Sequence, residues 1–123
     1  MKILIAEDED ILCRVLEEKF EDENFKVITA STGDVVIDLA RKNKPDMILL
    51  DILMPKLNGI EVLAKLKKDD SLKSIPVIMI SNLNEDQKIE EALRLGAVDY
   101  LVKTDHPIKE VIEKVNKYII KAK

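Results

Sequence analysis

Five short apolar runs, separated by longer amphipathic stretches, dominate the pattern of this chain. The runs cover residues 2–6, 25–30, 47–50, 77–80 and 100–102. Strands that are apolar along their whole length, rather than at every second residue, are typical of parallel sheets covered by helices on both faces. Parallel neighbours also require crossover connections, and the intervening stretches carry apolar residues at helical spacing. The pattern therefore predicts a doubly wound (βα)5 α/β domain with five parallel strands.

Local signals predict where the helices begin and end. The first helix should bury a stripe formed by Ile11, Leu12, Val15, Leu16 and Phe20. The other signals are Ser31 with Asp34 and Asn84 with Gln87 as variants of the capping box, Gly96 as a left-handed cap, and Pro107 in the first turn of the fifth helix.

The composition argues against several classes of protein. With 123 residues, 46% hydrophobic and 36% charged, the chain suits one compact domain, 1–123, without a visible linker or repeat. Its apolar runs are too short to cross a bilayer, and its acidic start argues against a signal peptide. One cysteine, Cys13, suits a protein of the reducing cytoplasm. A net charge of −4 and only 3% aromatic residues argue against direct nucleic-acid binding.

Polar and charged residues follow the predicted strands. Glu7 and Asp8 follow the first strand, Asp51 the third, Ser81 the fourth and Lys103 the fifth. In open parallel sheets the ligand site lies beyond the carboxyl ends of the strands, so these side chains should converge. No glycine follows the first strand, which argues against a dinucleotide or P-loop phosphate site.

The residue types at this edge suit phosphoryl transfer. Three crowded carboxylates repel one another, and a hard divalent cation such as Mg²⁺ relieves that repulsion. Asp51 follows four apolar residues, which presents its carboxylate as a nucleophile toward phosphorus, with an aspartyl phosphate as the product. Lys103 and Ser81 offer a cation and a hydroxyl for the transferred phosphoryl oxygens.

Four motifs, each at the end of a predicted strand, resemble the receiver domain of two-component response regulators. They are K-I-L-I-A-E-D-E, M-I-L-L-D-I-L-M-P-K-L-N-G-I-E-V-L, P-V-I-M-I-S and L-G-A-V-D-Y-L-V-K. The resemblance covers essentially the whole chain. It implies a flavodoxin-like fold with strand order 2-1-3-4-5.

The resemblance also implies a phosphoacceptor and a metal site. Asp51 would be the phosphoacceptor. Asp8, Asp51 and the backbone carbonyl of Leu53 would bind Mg²⁺ directly, with Mn²⁺ as the other candidate ion. Glu7 stands where the family often has aspartate, and it would reach the metal through water.

Further roles follow from the same resemblance. Ser81 would bind the phosphoryl group, Lys103 would pair first with Asp51 and then with the phosphate, and Tyr100 matches the aromatic switch position. Leu53 and Leu83, two residues past Asp51 and Ser81, would flank the water that hydrolyses the aspartyl phosphate. Both are bulky and apolar, which predicts slow self-dephosphorylation.

One segment departs from the family pattern. Receiver domains usually have proline directly after the lysine, with a cis peptide bond, whereas here Thr104 follows Lys103. A cis bond before threonine costs roughly 3–4 kcal/mol. Both a trans peptide and a strained cis peptide stay open at this bond.

The function implied is a phosphorylation-controlled signalling module rather than a turnover enzyme. Its donor would be a phosphohistidine of a sensor kinase or of a histidine phosphotransfer protein. Its output would be a changed surface on the fourth helix, fifth strand and fifth helix, which binds a downstream protein or, after phosphorylation, a second copy of the chain. With no output domain predicted in 1–123, a stand-alone receiver and a receiver cut from a longer regulator both stay open.

Two other functions stay open at this point. A degenerate receiver would bind partners constitutively, an alternative kept by the altered segment after Lys103. A phosphohydrolase of the haloacid dehalogenase type also uses a strand-end aspartate, Mg²⁺ and a lysine. That chemistry needs an acid two residues after the nucleophile, where this chain has Leu53.

Overall fold

The predicted strands form one sheet. The computed structural model describes residues 1–82, 85–103 and 107–122, with side chains up to residue 119. The strands are β1 (Lys2–Ala6), β2 (Lys26–Ala30), β3 (Met47–Leu50), β4 (Val77–Ser81) and β5 (Asp99–Val102). Neighbouring strands are all parallel, in the order β2-β1-β3-β4-β5. The predicted doubly wound, flavodoxin-like fold and its strand order are confirmed.

Helices connect successive strands and cover both faces of the sheet. They are α1 (Asp10–Asp22), α2 (Val36–Asn43, after a 3₁₀ turn at Gly33–Val35), α3 (Gly59–Lys68), α4 (Asp86–Arg94) and α5 (Ile108–Ala122). In the part of the chain that the structure describes, no helix has the length and apolar character needed to cross a membrane.

The core has two layers because successive strand residues point to opposite faces of the sheet. Leu4, Ile48 and Leu50 pack on the side covered by α2, α3 and α4. Ile5 and Leu49 pack on the other side, against α1 and α5. Strand β3 lies at the centre, and all four of its residues are 0% exposed. The residue that follows β3 therefore starts from the most deeply buried strand of the sheet.

The predicted stripe of α1 is partly wrong. Leu16 and Phe20 are fully buried, but Ile11 is 82% exposed. Helical residues advance by about 100° each, so Ile11 lies about 140° around the axis from the buried Leu16, whereas Leu12 lies only about 40° from it. Leu12 packs against the core, and Ile11 faces outward.

The predicted helix starts also differ in detail. Ser31 is exposed and does not cap a helix. Thr32 is the residue before the 3₁₀ turn, and its hydroxyl donates to the carboxylate of Asp34 within that turn. The predicted cap Asn84 lies outside the described residues, and α4 begins at Asp86.

The end of α4 and the start of α5 agree more closely with the prediction. Gly96 follows α4 with a φ of 111°, a conformation that glycine adopts without strain. Pro107 lies one residue before α5 rather than within it, and its carbonyl accepts hydrogen bonds from the amides of Glu110 and Val111.

The start of α3 fixes the segment that follows β3. Asn58 caps this helix by accepting a hydrogen bond from the Glu61 amide at 3.0 Å. Gly59 donates its amide to the carbonyl of Ile52 at 2.8 Å, and a Cβ at Gly59 would lie 2.1 Å from the carbonyl oxygen of Asp51. Only glycine therefore lets α3 approach the backbone of Asp51 this closely.

Candidate functional site at the carboxyl edge of the sheet

The parallel hydrogen-bond ladder includes the backbone of three charged residues at the carboxyl edge. Amide-to-carbonyl bonds join Glu7 to Ala30 (3.0 Å), Asp51 to Ala6 (2.9 Å) and Lys103 to Ser81 (2.9 Å). Each of these side chains therefore leaves from backbone that is already fixed in the sheet. This rigidity is what a site needs to hold charged groups at defined distances.

The ammonium group of Lys103 lies at the centre of the site. Its Nζ is 2.9 Å from the Glu7 carboxylate, 3.1 Å from Asp51 Oδ2 and 3.2 Å from Glu9 Oε1. The predicted contact between Lys103 and Asp51 is present, although these residues are 52 positions apart. Lys103 thus binds two acids that follow β1 and one that follows β3.

Most of this charge is removed from water. The side chains of Glu7 and Asp51 are 0% and 3% exposed, and that of Lys103 is 10% exposed. Asp51 Oδ1 accepts a hydrogen bond from the Leu53 amide at 3.2 Å, and Glu7 Oε1 accepts one from the Glu9 amide at 3.1 Å. Buried carboxylates require such partners, because an unpaired charge in the interior is very costly.

Burial governs the protonation of the cluster. Desolvation raises the pKa of Glu7 to about 7, against the hydrogen bond from Lys103 and with the help of the Asp51 charge. Desolvation also raises the pKa of Asp51, against the attraction of Lys103. Burial by itself lowers the pKa of Lys103, but its hydrogen bonds and charge interactions with the two carboxylates outweigh burial and raise that pKa. A further positive charge would therefore stabilise the ionised form of these carboxylates.

The donor set fits a divalent cation. Carboxylate oxygens of Glu7, Asp8 and Asp51 all lie within 4.8 Å of one another. Glu7 Oε2 is buried and accepts no well-directed hydrogen bond from the described residues, although Nζ of Lys103 is 2.9 Å away. Asp8 is exposed and leaves this cluster open to solvent. Oxygen ligands with room for water are what Mg²⁺ and Mn²⁺ prefer.

Ser81 and Tyr100 form a second contact at the same edge. Ser81, the last residue of β4, is 0% exposed, and Tyr100 on the neighbouring strand β5 is 8% exposed. Their side chains are hydrogen-bonded to each other. Burial raises the pKa of Tyr100, the Ser81 hydrogen bond opposes this, and the charge of Asp51 adds to it, so the ring lies within electrostatic reach of the acidic cluster.

The structure brings most of the predicted residues together. Leu53, two residues after Asp51, contacts the Asp51 carboxylate through its amide, and its side chain is 54% exposed. Leu83 and the Lys103–Thr104 peptide bond lie outside the described residues. Glu9 was not predicted as part of the site; the only signal for it was its place as the third acid in the run after β1.

Comparisons with known proteins agree with this site. The family model of the response regulator receiver domain matches residues 3–116. The alkaline phosphatase synthesis transcriptional regulatory protein PhoP of Bacillus subtilis is 37% identical over 106 residues, which make up 86% of this chain and 43% of that protein. The chain spans about half the length of the curated regulators it matches.

Solved structures agree as well. The receiver domain of the Francisella response regulator 1452 has a TM-score of 0.91 and 33% identity, covering 99% of this chain and 98% of that one. The phosphorylated cyanobacterial phytochrome response regulator RcpA has a TM-score of 0.82 and 29% identity, covering 95% of this chain and 89% of its own. With the family model, the fold and the strand-end residues all in agreement, the chain belongs to the response regulator receiver domain family of two-component systems.

Proposed function

We propose that this receiver accepts a phosphoryl group on Asp51 from a phosphohistidine of a sensor kinase or histidine phosphotransfer protein. Receiver domains are signalling proteins that interact with such kinases and phosphotransfer proteins, and they are not turnover enzymes. The observation that carries the proposal is the ion pair between buried Asp51 and Lys103, 3.1 Å long, beside the acidic cluster. We assign this activity to a single domain, 1–123.

The transfer would be a substitution at phosphorus. A carboxylate oxygen of Asp51 forms a bond to phosphorus while the phosphorus–nitrogen bond of the donor breaks, and the imidazole nitrogen keeps the electron pair of that bond. Lys103 holds the Asp51 carboxylate before the transfer and binds phosphoryl oxygens afterwards. The Ser81 hydroxyl donates to another phosphoryl oxygen.

Receiver domains bind Mg²⁺ at an acidic pocket, and this chain has suitable donors. In the proposal Asp8, Asp51 and the carbonyl of Leu53 hold the ion directly, and Glu7 contacts it through water. When bound, the ion neutralises charge on the phosphoryl oxygens, and Mn²⁺ would serve in its place. The buried Glu7 Oε2, without a well-directed partner among the described residues, supports a cation at this position.

The proposed output surface consists of α4, β5 and α5. A Ser81 hydroxyl that turns toward a phosphoryl oxygen would change its hydrogen bond to Tyr100, which lies on β5. Leu93 of α4 and Val98, next to β5, are 45% and 38% exposed. Exposed apolar side chains of this kind suit a downstream protein or a second phosphorylated copy.

The two alternative functions have less support. A degenerate receiver would not need Lys103 to contact Asp51, yet that contact is present although Thr104 replaces the usual proline. A phosphohydrolase needs a proton donor two residues after the nucleophile, and the Leu53 side chain cannot supply a proton. The apolar side chains of Leu53 and Leu83 also cannot orient a water molecule by a hydrogen bond. This supports slow hydrolysis, and therefore a long lifetime, of the aspartyl phosphate.

Intact-mass measurement after incubation with Mg²⁺ and acetyl phosphate tests the proposal. We expect one added phosphate on the wild type and none on Asp51→Asn. Asp22→Asn, the same change at an exposed aspartate at the end of α1, is the control and should be labelled like the wild type. An unlabelled wild type, or Asp51→Asn labelled to the same extent, would refute the proposal.

A further inference from the structure

Glu9 is the third carboxylate on the Lys103 ammonium, and it differs from the other two in exposure. Its side chain is 55% exposed, against 0% for Glu7 and 3% for Asp51. By position it is the cap of α1, but its side chain makes no capping hydrogen bond. The carboxylate lies instead 3.2 Å from the Lys103 ammonium, at the solvent side of the site.

The hydrogen-bonding capacity of Lys103 is fully used. An ammonium group has three protons, and Glu7, Glu9 and Asp51 each accept one. A phosphoryl oxygen that binds Lys103 must therefore displace one of these acceptors. The site contains no spare proton for it on this side chain.

Glu9 is the acceptor that can leave at the lowest cost. Glu7 is buried and would lose its contact with the Lys103 cation, and Asp51 gives up Lys103 only after its own carboxylate has bonded to phosphorus. Water can replace Lys103 at the half-exposed carboxylate of Glu9, because exposed ion pairs contribute little. Displacement leaves a negative charge next to the incoming phosphoryl group.

We propose that Glu9 is a specificity-determining residue, which selects against small, highly charged phosphoryl donors. Resting on the function proposed above, the inference gives Glu9 two effects: it must release Lys103, and its charge repels an anionic donor. Small donors meet this repulsion directly, and it grows with their negative charge. A protein donor can offset it with cationic side chains of its own.

Initial rates of phosphorylation with two donors of different charge test this proposal. Acetyl phosphate is a dianion at neutral pH, and phosphoramidate carries less negative charge. At Mg²⁺ concentrations that saturate every variant, Glu9→Gln should raise the rate about fivefold with acetyl phosphate and about twofold with phosphoramidate. The difference between the donors should shrink at about 0.5 M salt, where charges are screened over a few ångströms.

Two further variants separate charge from other effects. Glu9→Asp keeps the charge and should keep a donor ratio close to that of the wild type. Glu21→Gln removes an exposed carboxylate about 18 Å further along α1 and should leave both rates unchanged. Equal acceleration with both donors, or none, would overturn the role of Glu9 while leaving the proposed function intact. A wild type that takes up no phosphate from either donor would overturn both.

Discussion

Two clusters of acidic and basic side chains lie at opposite edges of the same sheet. At the carboxyl edge, Lys103 contacts buried carboxylates and is itself mostly buried. At the amino edge, in the loop between α3 and β4, Asp69 accepts a hydrogen bond from Arg41 Nε at 3.0 Å and lies 2.9 Å from Arg41 Nη2 in an ion pair. The amide and hydroxyl of Ser71 donate to its other oxygen at 2.9 and 2.7 Å.

The two clusters shift carboxylate pKa values in opposite directions. Hydrogen bonds from Ser71 and Arg41 lower the pKa of Asp69 to about 2. Burial raises the pKa of Glu7 to about 7, although Lys103 is in contact with it. The presence of an ion pair therefore does not by itself determine whether the pKa of a carboxylate is lowered or raised. At the amino edge, solvent and well-directed donors stabilise the ionised carboxylate. At the carboxyl edge, desolvation disfavours the ionised carboxylates, which favours the binding of a new cation or the attachment of a phosphoryl group.

The largest expected difference comes from removing the cation of each cluster. Lys103→Met leaves two buried carboxylates without their cationic partner, and we expect it to lower the free energy of unfolding by about 3 kcal/mol at pH 7 without metal. Arg41→Met should have a smaller effect, because its side chain is 57% exposed and water can solvate Asp69. Urea unfolding of both variants in the presence of a chelator measures the difference. An equal or larger loss in Arg41→Met would remove the contrast between the clusters.

The second-largest expected difference between the two clusters is their response to divalent cations. In our proposal the carboxyl edge of the folded chain binds Mg²⁺. The free energy of unfolding of the wild type should therefore rise by about 2.7 kcal/mol when the Mg²⁺ concentration is a hundred times its dissociation constant. Asp8→Asn should lose this gain, and without metal it should be at least as stable as the wild type because one repelling charge is gone. Asp69→Asn, which changes the other cluster, should keep the gain. Thermal unfolding with and without Mg²⁺ tests this, and a Mg²⁺ gain that survives Asp8→Asn would contradict it.

The smallest effect is the acid dependence of the Asp69 cluster. The pKa of Asp69 is lower in the folded chain than its ordinary value of 3.8, so its contribution to stability is present above pH 4 and is lost as the pH falls toward 2. The stability difference between wild type and Asp69→Asn should therefore shrink over this range. Asp22→Asn, the same change at an exposed aspartate on α1, is the control for the loss of one negative charge. A constant difference for Asp69→Asn from pH 6 to pH 2 would rule out the hydrogen-bonded anion.

The fold could be predicted from local pattern because the central strands are almost continuous apolar runs, although the edge strand β2 is partly exposed at Lys26 and Thr29. The runs matched the observed strands to within one residue at each end. The general rule for open sheets then located Glu7, Asp51 and Lys103 at one edge, which the geometry of the site bears out. This rule depends only on the order of strands and helices along the chain, and the order of the apolar runs in the sequence shows that order.

Side-chain pairing across the fold could not be predicted in the same way. Glu9 and Lys103 are 94 positions apart, and their contact depends on how the cap of α1 is oriented. Arg41 and Asp69 are 28 positions apart and lie on different elements. In the sequence each of these is one more charged residue in a chain of which 36% is charged. Their roles depend on distances of a few ångströms between side chains, which the apolar periodicity of the sequence does not reveal.

The backbone ladder that runs through Glu7, Asp51 and Lys103 has a consequence for cooperativity. Since the amides of these residues are bonded to the sheet, the backbones that carry the charged groups separate only when bonds of the strand ladder break. Unfolding of the sheet therefore also takes the site apart. Any substitution that lowers global stability, however far from Asp51, would reduce the assembled population as well, so signalling strength and folding are tied to one equilibrium.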